Sequence, residues 1–84
     1  MTRLLFFGRL RDVAGYAERE FVLPSEIETI ADLRVYLAAY DPHLGEAVAA
    51  RGVRIAVDQA FCASEGAPAR DAREIAFMSP LSGG

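Results

Sequence analysis

Two short apolar runs near opposite ends of the sequence set the tightest limit on its fold. They are Thr2 to Phe7, TRLLFF, and Glu74 to Met78, EIAFM. Neither alternates cleanly between polar and apolar, which is how strands read when they are covered on both faces or paired on both edges. As the most apolar strands of the chain, they belong side by side in the centre of one sheet. The long stretch between them leaves room for a crossover, so they are expected to run parallel.

The intervening sequence supplies the rest of the layer. Gly8 and Gly15 bracket a stretch in which Leu10, Val13 and Ala14 fall at helical spacing, giving one short helical turn with Arg9 and Arg11 exposed. Glu18 to Leu23 reads as a second strand stopped by Pro24. Thr29 suits a helix N-cap, with Asp32 three residues on. Ile30, Leu33, Leu37 and Tyr40 then form one apolar stripe. Asp41-Pro42 ends that helix and starts a shorter one, with Leu44, Ala47 and Val48 facing inward and Gly52 as its stop signal. Val53 to Val57 is a third strand, Asp58-Gln59 a tight turn into a short AFCA segment, and SEGAPARDA a loop. The pattern is ββαββ with one main helix: an α+β domain, a mixed sheet with the helix packed across one face. Residues 1–78 form the domain and 79–84 a flexible C-terminal tail.

Composition excludes several classes of function. Eighty-four residues make one small domain. An apolar content of 52% is too high for a disordered chain. A single Cys rules out a disulfide framework and a four-thiolate metal site, and fits a reducing, cytoplasmic setting. No run is long enough to span a membrane. The net charge of −3, without a basic stripe, argues against nucleic acid. All nine basic residues are Arg, so Schiff-base chemistry on a lysine is excluded and the only amine is the N-terminus; a compositional bias of the genome explains the missing Lys most simply.

Side chains offer little chemistry. His43, the only histidine, stands at a helix start with no Cys or His at ligand spacing, so no metal is expected. Cys62 lies in an apolar strand and reads as a structural thiol. Ser25, Ser64, Ser79 and Ser82 lack a neighbouring base or nucleophile motif.

The tail is different. After Met78 come Ser79, Pro80, Leu81, Ser82, Gly83 and Gly84. From Ser79 to Gly84 the tail reaches about 20–22 Å when extended. Pro80 stiffens its stem, and the two glycines make a tip thin enough to thread a narrow channel. The terminal carboxylate is an oxygen nucleophile that could attack the α-phosphate of ATP held by a partner. A sulfur donor could then displace AMP and leave a thiocarboxylate. A frayed end would also read as Gly-Gly, so the weight comes from the surrounding sequence.

Three stretches supply it: LLFFGRLRDVAG (Leu4 to Gly15), VRIAVDQAF (Val53 to Phe61) and REIAFMSPLSGG (Arg73 to Gly84). Together they resemble the β-grasp, ubiquitin-like sulfur carriers, and within that group the MoaD family, the small subunit of molybdopterin synthase. The resemblance covers the whole length. Two departures stand out: Met78-Ser79 where the family often has an aromatic and a Pro, and Asp71-Ala72-Arg73 where a turn usually carries Gly.

The resemblance implies a sulfur carrier in molybdenum cofactor biosynthesis. Gly84 would be adenylated by an ubiquitin-activating-like enzyme that uses ATP, then converted to a thiocarboxylate by a sulfur donor. Pro80, Leu81, Ser82 and Gly83 would thread the large synthase subunit, in an expected heterotetramer, and sulfur would pass to cyclic pyranopterin monophosphate. The chain would count as an enzyme only as that small subunit, with no catalytic side chains and no cofactor bound directly. Phe7, Phe77, Met78, Arg9 and Arg11 are the expected partner-docking residues; for Phe7 and Phe77 plain core is an equal alternative, and for the arginines solvated surface. Two rivals remain: a carrier for thiamin thiazole or tRNA thiolation, and a non-catalytic interaction module. LLFFGRLRDVAG favours the pterin route.

Overall fold

The structure, a computed structural model, describes residues 1–62 and 65–79. Eight elements follow in order: β1 (Thr2–Phe7), α1 (Arg9–Ala14), β2 (Glu18–Phe21), α2 (Ile30–Tyr40), α3 (Pro42–Val48), β3 (Arg54–Val57), β4 (Ala60–Cys62) and β5 (Glu74–Met78). One five-stranded sheet runs β2-β1-β5-β3-β4. The two apolar end strands are neighbours and parallel, with β5 in the centre; the remaining pairs are antiparallel.

Burial alternates along β1, with Thr2, Leu4 and Phe6 inside and Arg3 and Phe7 outside. The strand is therefore paired on both edges but covered on one face only. Leu4, Phe6, Ile55, Ile75 and Phe77 meet Leu33 and Leu37 of α2, and Leu44 and Val48 of α3, in a single core.

Two strands are shorter than the sequence predicts, for the same reason. β2 ends at Phe21 because its partner there is Thr2, where β1 begins. Val22 is left 74% exposed. β3 starts at Arg54, paired with Met78, the last residue of β5. The short segment after the Asp58-Gln59 turn is a true fifth strand, so the order gains one strand over ββαββ.

The two N-caps form as read, whereas α3 ends at Val48 with Ala49 as its C-cap, short of Gly52. Thr29 Oγ1 accepts from Asp32 N–H, and Asp32 Oδ2 accepts from the Glu28 and Thr29 N–H groups at 3.0 and 3.1 Å. These bonds, the one from Glu28 foremost, hold the Asp32 carboxyl below the usual carboxylate range. Loop carbonyls of Ala67 and Glu65 accept from Ile30 and Ala31, satisfying two more amides of the first turn. Asp41 caps α3 through His43 and Leu44 N–H. Arg34 joins α2 to the end of α3, bonding the Val48 carbonyl and pairing with Glu65 at 2.8 Å.

The turn preceding β3's hairpin partner takes positive φ at Asp58 and Gln59, 49° and 71°, the twist that a two-residue hairpin requires. Asp71 also adopts positive φ, 66°. It lies in the Asp71-Ala72-Arg73 turn, where the resembled family usually carries a glycine, and Asp is among the few other residues that tolerate the conformation.

Candidate functional site: the open sheet face and the root of the tail

The face of the sheet turned away from the helices is built by strand alternation. Leu5, Ala76, Ala56 and Phe61 share one row across four strands through their pairings, the two alanines being buried beneath their larger neighbours. Phe7, Met78 and Arg54 form the next row. Phe61 is 62% exposed and Phe7 47%. Arg54 lies over the Phe61 ring at 4.5 Å from its centroid, so its charge rides on an aromatic face. Toward the start of β1 the same surface turns ionic, with Arg3 3.5 Å from Glu18 and 3.9 Å from Glu74. An apolar field thus lies between a charged margin and the end of β5.

Each expected site residue has a definite place. Phe7 and Met78 sit side by side on the open face at the strand ends. Arg9 and Arg11 are exposed on α1, which Leu10 anchors in the core. Arg11 also rims a cavity of about 400 Å³ shared with Leu5, Phe7, Gly8 and Glu18. Phe77 is corrected: it is 0% exposed and stacked inside the core, so it offers a partner no surface. The period of two explains it, because its neighbours Ala76 and Met78 take the open face. Pro80, Leu81, Ser82, Gly83 and Gly84 lie outside the described residues, as does Ser64. His43 is exposed at the start of α3. Among the described residues no three His, Cys, Asp or Glu side chains gather as metal ligands would, and no helix is long and apolar enough to cross a membrane.

Sequence reasoning missed Leu5, Arg54, Ala56, Phe61 and Ala76. The available signal was register: pairing the central strands as predicted puts every second residue of each on one face.

The topology, two hairpins around a parallel central pair with a helix across one face, is that of the ubiquitin-like β-grasp domains. A profile of the ThiS family matches residues 4–84. The chain belongs to that family of ubiquitin-like sulfur carriers, which takes in ThiS-like and MoaD-like proteins. Among solved structures it is similar to SAMP1 from Haloferax volcanii, with 21% identity, a TM-score of 0.78, and coverage of 99% of this chain and 98% of that one. A second structure of H. volcanii small archaeal modifier protein 1 gives 19% identity and a TM-score of 0.76, covering 95% and 97%. A Pyrococcus furiosus protein described as molybdopterin converting factor, subunit 1, gives 24% identity and 0.73, also covering 95% and 97%. At these identities the structures establish the fold. No curated protein matches.

Proposed function

We propose that this chain is the sulfur-carrier subunit of a two-part synthase in molybdenum cofactor assembly. The observation that carries the reading is the family profile running through the central strand β5 and on to Gly84. The likeness to the P. furiosus converting factor and the LLFFGRLRDVAG stretch favour the pterin client over thiazole or tRNA.

The chemistry needs no side chain of this protein. The Gly84 carboxylate attacks the α-phosphate of ATP in an activating enzyme; a C–O–P linkage forms, the α–β phosphoanhydride breaks, and pyrophosphate leaves. A sulfur donor displaces AMP and leaves the thiocarboxylate. The large subunit then receives the tail; the sulfur bonds to a carbon of cyclic pyranopterin monophosphate, and water cleaves the Gly84 acyl–sulfur bond, restoring the carboxylate for another round of activation. Phe7, Met78, Leu5 and Phe61 form the docking field over the buried Ala56 and Ala76, with Arg9 and Arg11 at its margin for acidic groups of a partner.

Intact mass of the chain from its native host tests this. One oxygen replaced by sulfur, and lost on deletion of Gly84, is the expected result. Normal synthase activity from a chain lacking Gly84 sinks it and leaves the interaction module.

A second reading is favoured by the match to small archaeal modifier protein 1: the activated Gly84 is passed to an amine of another protein. Without Lys, one copy of this chain cannot serve as the lysine acceptor of another. Adducts that survive thiol and denaturant would support it; a thiocarboxylate without adducts would exclude it.

A further inference from the structure

β1 and β5 run parallel and end together. Phe7 pairs with Met78, and the next residues are Gly8 and Ser79. Gly8 has φ 63° and ψ −138°, a backbone region open to glycine and closed to ordinary side chains. It also lies against the residue at which the tail begins. A Cβ on Gly8 would stand 2.5 Å from Ser79 Oγ, far inside van der Waals contact. The absent side chain is therefore the space that the Ser79 hydroxyl occupies. The Gly8 carbonyl accepts from Arg11 N–H at 3.1 Å, which ties this turn to α1. Ser79, half-buried, is seated between a strand end and an anchored turn.

We propose that Gly8 is a positioning residue for the tail: by leaving room for Ser79 it fixes the direction in which the chain departs from β5 toward Gly84. The proposal rests on Gly84 being the reacting end. Its leverage is geometric. At roughly 3.3–3.6 Å per residue, a tilt of about 15° at Ser79 moves an extended tip by about 4–5 Å. A tail that must be stretched to reach a partner's site has little slack to absorb that, and displacement of a reacting atom by about 1 Å can cost roughly 100-fold in rate.

A methyl on Gly8 brings two separable effects, backbone strain and collision with Oγ. Only the second concerns the tail, and removing Oγ relieves only the second. The full chain is assayed with the adenylating enzyme of the same host by ATP–pyrophosphate exchange, alongside thermal midpoints. Gly8→Ala is expected to lower kcat/KM by about 10–100-fold. Gly8→Ala in a Ser79→Ala background, compared with Ser79→Ala alone, is expected to regain most of that loss while its thermal midpoint stays as low as that of Gly8→Ala. Ser79→Leu crowds the same contact with Gly8 and its backbone intact. It should lose exchange without the strain, and it decides the matter if Gly8→Ala does not fold.

Folded Gly8→Ala and Ser79→Leu chains that exchange at the wild-type rate overturn the proposal, as does a double variant that regains nothing. A wild-type chain that gives no exchange overturns the reading of Gly84 instead. Positioning is then decided by residual dipolar couplings: a reoriented Ser79 N–H relative to β5 in Ser79→Leu supports it, and an unchanged one refutes it.

Discussion

Phe6 and Phe77 occupy paired positions on β1 and β5, and their rings stack with centroids 5.6 Å apart and planes 9° from parallel. The stack sits at the middle of the core, and Tyr16 meets Phe6 edge-on at 5.9 Å. Phe77→Ala should cost about 3–5 kcal/mol through lost burial and the cavity left behind. That is a large part of the 5–15 kcal/mol that small domains hold. A urea titration of the variant should show a strongly lowered midpoint; a shift of under about 1 kcal/mol would mean that the two rings do not share the core as described.

Gly45 sets a contest between two effects. Alanine in a helix is worth about 1 kcal/mol over glycine. Here a Cβ would run into the backbone and Cβ of Ala38 on α2. Overpacking of this kind costs about 1–3 kcal/mol, and the backbone atoms it strikes cannot swing aside. Gly45→Ala should therefore destabilise on balance, by thermal or chemical denaturation. A stabilised variant would show that α2 and α3 can separate at no cost.

Asp58 stands in the β3–β4 turn, and its Oδ1 accepts from Arg73 and Glu74 N–H at 2.9 and 3.0 Å. The turn thereby pins the start of β5. Asp58→Ala loses both bonds and places alanine at positive φ, for an expected loss of about 2–3 kcal/mol. Asp58→Asn keeps an acceptor and tolerates the backbone, so it should lie much nearer wild type in the same denaturation assay.

Asp32 links stability to acid. Its carboxyl titrates below its unfolded value because the Glu28 and Thr29 amides bond the charged form. The stabilisation is complete above the unfolded value of about 3.9 and disappears as pH falls through the lower, folded value. Asp32→Asn should flatten that part of the pH–stability curve, and Thr29→Ala should lose about 1 kcal/mol at neutral pH. Parallel acid curves for wild type and Asp32→Asn would remove Asp32 from the account.

The open face supplies a binding prediction. Phe7 and Phe61 are largely exposed, so truncating either should change stability by less than about 1 kcal/mol. If the face is where partners dock, Phe7→Ala should weaken association with the large subunit of the proposed synthase by about 1–3 kcal/mol in calorimetric titration. Unchanged affinity for both truncations would place the docking surface elsewhere.

The elements that sequence alone made legible are those whose cause is local. The Thr29–Asp32 cap, the Asp41-Pro42 restart and the glycines around α1 are short-range chemistry, and each was readable from a few residues. The central parallel pair was readable because only a doubly flanked strand can hold so many apolar residues. Strand ends at Phe21 and Arg54 were not, since each is set by where a distant partner stops. The open face was hidden for a related reason: Leu5, Ala56, Ala76 and Phe61 become one surface only once four strands are in register. Phe77 shows the limit of apolarity as a guide, because its side of the sheet, and not its type, decides whether it meets a partner or the core. The closeness of Gly8 to Ser79 joins residues far apart in sequence, and nothing local announces it.

The tail continues from the central strand of the sheet, β5, which is hydrogen-bonded to β1 on one side and β3 on the other. A pull on the C-terminus along that strand would work against both ladders in shear at once, rather than unzipping one bond at a time. Domains under tension fail at a rate set by their unfolding barrier. A carrier repeatedly inserted into and withdrawn from other proteins would thus be gripped at its strongest mechanical axis.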